Sequence, residues 1–247
     1  MYAPQIKSVR PLQQSDKPSK FIGDDGKRID GRSLDEFRSV FMRTGMVKQA
    51  KGSAYIELNN TKVICSAYGP RQTNNEFSDK GMLNCDFKIA SFASKQRRKK
   101  TRDEDKEFSI YMRDALEISV NLDKFPKSVV DVYALVLEDD GSALAAAIMC
   151  GSLALADAGI ELYDLVGACS AIKVDSHIVI DPSSTEQKYG VGAITCAHMS
   201  NLNEITQLTE AGDVEYSTMV EFVNMCVDGC RKMSDKMRQT LATEHLK

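Results

Sequence analysis

The densest chemistry in this 247-residue sequence is a basic run, Lys95-Gln96-Arg97-Arg98-Lys99-Lys100-Thr101-Arg102. Six of its eight side chains (Lys95, Arg97, Arg98, Lys99, Lys100 and Arg102) are positive, and Asp103-Glu104-Asp105 follows at once. Clustered Lys and Arg gain affinity for RNA phosphates by releasing condensed counterions, while the same composition also makes a plain solvated loop. Formal net charge is −3, so any attraction for nucleic acid has to come from a local patch of this kind.

The other reactive residue types are thinly spread. Asp139-Asp140 has the look of a metal pair, but acidic residues beside a helix start are expected from the helix dipole alone. Seven cysteines and three histidines are scattered, with no C-x₂-C spacing, so no metal site and no cofactor is expected. The cysteines read as small buried hydrophobes in a reducing compartment. His177 is expected at a surface strand start and His198 packed within a strand. No Ser/His/Asp or Cys/His constellation follows from the spacing. With 43% hydrophobic and 27% charged residues, the composition is that of a globular protein. No apolar run reaches the about 18 residues of a membrane span. The first residues lack a secretory h-region, so an intracellular protein is expected.

The elements that must position these residues follow from periodicity. Residues 52–58 and 61–68 are strands joined by Asn59-Asn60, a hairpin that Gly69-Pro70 is expected to end. After a polar loop over 71–80 comes a strand at 82–89. Phe108, Tyr111, Met112, Ala115, Ile118 and Leu122 recur at helical spacing over 104–122. Residues 129–137 are almost continuously apolar, as in a strand buried on both faces. Ser142 is the expected N-cap of an apolar, central helix over 143–157 that Gly159 stops. Strands at 166–174 and 177–180 flank an Asp175-Ser176 turn. A loop over 182–189, strands at 191–199 and 204–208, and a helix over 218–241 complete the pattern. Met219, Val223, Cys226, Cys230, Met233 and Met237 form that helix's inner stripe. The expected fold class is α+β, one domain over 27–247 with internally duplicated strands-plus-helix halves, behind a flexible extension over 1–26.

Several stretches, in order along the chain, resemble the RNase PH family in the version used by ring subunits of the RNA exosome. They are Arg28-Ile29-Asp30-Gly31-Arg32, Gly52-Ser53-Ala54-Tyr55, Thr61-Lys62-Val63, Gly69-Pro70-Arg71, Phe125-Pro126-Lys127 with Val130-Asp131-Val132, Leu155-Ala156-Asp157-Ala158-Gly159-Ile160, and Leu202-Asn203-Glu204-Ile205-Thr206. The resemblance implies phosphorolysis at RNA 3′ ends, in which a phosphate nucleophile attacks an anionic phosphodiester. Such a site needs positive charge for the phosphate and carboxylates for a divalent metal or a proton.

In active members the phosphate sits at the start of the central helix beside an arginine, and two aspartates follow the second hairpin. Here Leu144 falls at the arginine position, and Gln187 and Ala193 fall at the two aspartates, with Glu186 one residue off. The resemblance therefore implies a subunit that is not an enzyme, with Lys95, Arg97, Arg98, Lys99, Lys100, Arg102 and Arg71 as the candidate RNA contacts. It implies other RNase PH-type ring subunits, S1/KH cap subunits and single-stranded RNA as partners, no membrane, and a place in nucleus, nucleolus and cytoplasm. Two alternatives stay open: an active phosphorolytic exoribonuclease, with Glu186 displaced into service or a site shared between subunits, and a free-standing RNA-binding protein.

Overall fold

Ala54, Ile56 and Leu58 alternate with Tyr55 and Glu57, and Thr61, Val63, Cys65 and Ala67 alternate with Lys62, Ile64 and Ser66, so each strand sends one set of side chains inward. These are β2 (Gly52–Leu58) and β3 (Thr61–Gln72), preceded by β1 (Val40–Thr44). Asn59 takes the left-handed conformation at the turn, φ 52°. The structure, a computed structural model, describes residues 21–23, 25–72, 79–94, 97, 103–174, 176–212 and 214–245. The expected turn residue Asp175 lies outside them.

Gly69-Pro70 does not end the second strand. The register shifts between Tyr68 and Arg71, and pairing resumes with Arg71 opposite Val129 and Gln72 opposite Ser128. A bulge lets the ladder step past a proline that has no N–H to give. β4 (Met82–Ile89) then pairs in parallel with β5 (Ser128–Glu138), and α1 (Asp103–Glu117) makes the crossover. The first half is therefore not purely antiparallel, because a parallel neighbour requires a long connection, which α1 supplies. α1 stops at Glu117, earlier than expected; Ile118 is exposed, and Leu122 lies in a short 3₁₀ turn, Leu122–Lys124.

The strand order is β1-β2-β3-β5-β4 in the first sheet. In the second it is β7-β6-β8-β9, from β6 (Val166–Val174), β7 (His177–Ile180), β8 (Gly192–Met199) and β9 (Glu204–Gly212). Between the sheets lies α2 (Ala143–Asp157), buried continuously from Leu144 to Leu155. At its end a glycine of β2 permits close approach: a Cβ at Gly52 would stand 2.2 Å from the Ala158 backbone nitrogen. The long α4 (Tyr216–His245) covers the second sheet with Phe222, Cys226, Cys230, Met233 and Met237, all fully buried. One hydrophobic core runs from Ala54 and Val136 through α2 to Val166, Ala197 and Met237, so the two halves share a single interior.

Other expectations shift in informative ways. Packing begins before Lys27: Phe21 is buried against Ile172, Val174 and Val179. The span 182–189 is not all loop, because α3 (Ser184–Tyr189) forms behind a capping box of Ser183 and Glu186. β5 is buried on one face only, with Tyr133 and Leu135 46% and 39% exposed on the other. All seven cysteines are free, and six are buried. Among the described residues, no helix is long and apolar enough to cross a membrane.

Candidate functional site

The turn before α2 is shaped by two left-handed residues, Gly141 (φ 95°) and Ser142 (φ 57°). A Cβ on Gly141 would lie 2.4 Å from the Pro182 carbonyl oxygen, so only glycine lets the 182–184 segment pass here. Ser142 is the N-cap residue, as expected, but its hydroxyl donates to the Pro182 carbonyl at 3.3 Å instead of capping the first turn. Asp139 and Asp140 part company at this turn. Asp139 accepts from the Gly141 N–H at 3.2 Å, while Asp140 accepts from Ser184 Oγ at 2.6 Å and Asn60 Nδ2 at 3.2 Å.

Arg38 clamps the turn to the second half. It donates to both oxygens of Asp181 (2.6 and 2.9 Å) and to the carbonyls of Asp140 (2.9 Å) and Gly141 (3.1 Å). Burial pushes the Asp181 carboxyl up, but the hydrogen bonds and charge of Arg38, with Arg32 behind it, outweigh that and hold it below its ordinary value. Sequence reading missed Arg38, and no local signal marks it, since Asp181 is 143 residues further along the chain.

A cavity of ≈ 320 Å³ opens at the start of α2, and Leu144, Gln187 and Ala193 all line it. The three positions expected to have lost their chemistry therefore share one pocket. Ser142 and Ala143 form its helix end, and Ser170, Thr195 and Thr209 add hydroxyls from the second sheet. Among the described residues its charged lining consists of Glu107, Asp139 and Glu210, all acidic, with no Lys or Arg. Gln187 lies on α3 rather than in an extended segment, yet still reaches the cavity.

Glu186, on the same helix, turns away and is buried. Arg28 Nε and Nη2 donate to its two oxygens at 2.8 and 2.5 Å, and Ser183 N–H donates at 2.8 Å. It is committed to holding the N-terminal arm and capping α3. Among the described residues, no group of three or more His, Cys, Asp or Glu is arranged to hold a metal ion. The amide at Gln187 and the methyl at Ala193 do not fit the divalent ion that the RNase PH resemblance implies, so no step through a metal is derived.

The basic candidates separate. Lys95, Arg98, Lys99, Lys100 and Arg102 lie outside the described residues. Arg97 is described and exposed. The flanks of the run border the pocket: the Asp139 N–H donates to the Ala93 carbonyl at 3.0 Å, and Glu107 follows in α1. Arg71 lies elsewhere. It is ion-paired with Asp131, which precedes Asp139 by eight residues, roughly 26 Å along an extended strand. His177 is exposed. His198 is buried, and burial pushes its pKa below the usual imidazole value.

Two sheets closed on a central buried helix, with a cavity at that helix's start, define the class of fold. The chain belongs to the 3′ exoribonuclease (RNase PH) family: domain 1 of the family matches residues 36–161 and domain 2 matches residues 164–228. It is 41% identical over 219 residues to the exosome complex component RRP41-like of Arabidopsis thaliana, spanning 88% of this chain and 85% of that protein. To exosome complex component Rrp41 of Thermococcus gammatolerans it is 38% identical over 232 residues, 92% of this chain and 93% of that one. Among solved structures, rice Rrp46 superposes with a TM-score of 0.76 at 24% identity, covering 87% of this chain and 100% of that one. The Archaeoglobus fulgidus exosome with RNA bound to the active site gives 0.76 at 23%, covering 86% and 93%. The α+β fold expected from the sequence is that of these structures.

Proposed function

We propose that this chain is a ring subunit of an RNA exosome that guides single-stranded RNA without cutting it. The observation that carries this reading is the pocket at the start of α2, where Leu144, Gln187 and Ala193 stand beside Glu107, Asp139 and Glu210. Attack by phosphate brings two anions together, and this pocket offers carboxylates where cations are needed. Glu186 does not stand in, because its oxygens are taken by Arg28 and Ser183.

The partners are other RNase PH-type subunits, with S1/KH subunits capping the ring. The outer face of the first sheet supports such docking. Phe41, Tyr55, Ile64, Tyr68, Tyr133 and Leu135 share it by register, and two aromatic pairs lie on it, Phe41–Tyr55 and Tyr68–Tyr133. Within the ring, the phrases Leu83-Asn84-Cys85, 90–94 and 153–160 resemble the subunit called mRNA transport regulator three (exosome component six). The relatives above carry the name Rrp41, and their identity over most of the chain favours the Rrp41 position. The compartments that go with this role are nucleus, nucleolus and cytoplasm.

The second reading is a phosphorolytic exoribonuclease whose site is completed by a neighbour. It is favoured by the start of α2 still opening into the cavity, where helix N–H groups attract anions. One assay separates the two: single-stranded RNA, inorganic phosphate and Mg²⁺ given to the isolated chain and to its purified assembly. No nucleoside diphosphate is expected from the isolated chain, and any release by the assembly should persist in Asp139→Ala and Glu210→Ala forms. Turnover that either substitution abolishes would overturn the non-catalytic reading. A free monomer in native extracts would favour the free-standing RNA-binding protein instead.

A further inference from the structure

Phe92 is the most exposed phenylalanine of the described residues, 71% open to solvent, yet the turn that carries it is held firmly. The Ala90 N–H donates to the Val136 carbonyl at 2.9 Å, the Ala93 N–H to the Ala90 carbonyl at 3.0 Å, and the Asp139 N–H to the Ala93 carbonyl at 3.0 Å. Ala90 and Ala93 are buried on either side, so the turn is stitched to β5 while the ring between them stands in water. A ring held this way loses little conformational freedom when something stacks on it.

The surroundings of the ring are polar. It lines a cavity of ≈ 420 Å³ with Asn60, Ser94, Leu137, Glu138, Asp139 and Asp140. Asp139 also lines the pocket at the start of α2, so the two cavities share a residue. Protein–protein interface cores are depleted of Asp and Glu, and three carboxylates around Phe92 make a poor seat for a protein anchor. A nucleobase is a better match. Its face is sequence-tolerant toward an aromatic ring, and its exocyclic amino groups would find an acceptor in Asp139, since Asp140 is held by Ser184 and Asn60 and Glu138 by Lys62. Its phosphates would point away from these acids. Lys95 begins the basic run three residues after Phe92 in the sequence, and Arg97 is exposed. Aromatic platforms combined with basic side chains hold single strands without reading their sequence.

We propose that Phe92 is a base-stacking platform for single-stranded RNA at the rim of the pocket at the start of α2. The inference rests on the reading of this chain as an RNA-guiding subunit and adds the residue that grips a base. Stacking and phosphate contact differ in salt dependence, because only the second releases counterions. In the assembled ring, Phe92→Ala should weaken single-stranded RNA binding roughly five- to 150-fold at every salt concentration, with the slope of log affinity against log salt unchanged. Phe92→Trp should retain binding, and Phe92→Leu should not restore it. Arg97→Ala should instead lower the slope by about 0.7.

Wild-type and Phe92→Ala rings binding RNA equally would overturn the platform and leave the guiding role intact. Failure of the folded Phe92→Ala chain to enter the ring would overturn it in favour of a protein anchor. A wild-type ring that binds no RNA at all would overturn the guiding role and the platform together.

Discussion

Arg28 and Glu186, 158 residues apart, meet as a buried bidentate ion pair, with Nε–Oε1 at 2.8 Å and Nη2–Oε2 at 2.5 Å. The remaining Arg28 donors reach the carbonyls of Ile180 (2.6 Å) and Asp181 (3.2 Å), so the arm before β1 is tied to the end of β7. Removing one partner would strand the other charge in the interior. Arg28→Ala or Glu186→Ala should cost about 3–5 kcal/mol, whereas Arg28→Met with Glu186→Leu should recover much of it. Urea midpoints of the singles and the double decide this; two singles within about 1 kcal/mol of wild type would show the pair to be idle.

The Arg38–Asp181 clamp makes a pH prediction. The folded carboxyl is held below its ordinary 3.8. Its contribution is therefore complete above that value and is lost as pH falls through the lower folded value. The stability gap between wild type and Asp181→Asn should be widest near neutrality and should narrow on acidification. Denaturant unfolding across an acid series measures it, and a gap that widens toward low pH would contradict the clamp.

The aromatic sheet face predicts dependence on partners. Leu135 and Tyr133 stand exposed at the middle of the first sheet, on the face opposite the core. Leu135→Lys with Tyr133→Glu should leave the far-ultraviolet circular dichroism unchanged yet block co-purification with other RNase PH-type subunits. An assembly formed normally by this variant would move the interface elsewhere.

The basic run predicts a change in salt dependence. Replacing Arg97, Arg98, Lys99 and Lys100 by Ala should weaken RNA binding by the assembled ring and flatten its salt slope by about 0.7 for each phosphate no longer neutralised. Ring assembly should survive, since so charged a segment makes a poor interface core. Affinities across a salt series test this, and equal slopes would reduce the run to a solvated loop.

Local pattern made much of the fold legible. Alternation marked β2, the first part of β3 and β4, and the unbroken apolar run of α2 located it correctly from Ala143 to Asp157. Ser142 stands at the N-cap, as its type suggests, though its hydroxyl goes to Pro182. Errors fell where a neighbour decides. Ile118 fits the helical period of α1 but comes after the helix has ended. Residues 129–137 are apolar but for Asp131, yet Tyr133 and Leu135 on the outer side of β5 are uncovered, because hydrophobicity says that a side chain prefers burial and not what buries it.

The sequence by itself determined the family's motifs in their order, the central helix, and the identities of Leu144, Gln187 and Ala193. Only the tertiary structure decided that those three side chains line one acidic cavity, and that Arg71 is paired with Asp131 away from it. It likewise withdrew Glu186 into the ion pair with Arg28. The physical reason is range. Periodicity and turn chemistry act over a few residues, whereas the charge of this pocket is the sum of side chains delivered by α1 (Glu107), the turn after β5 (Asp139) and β9 (Glu210). That sum exists only once the sheets close on the central helix.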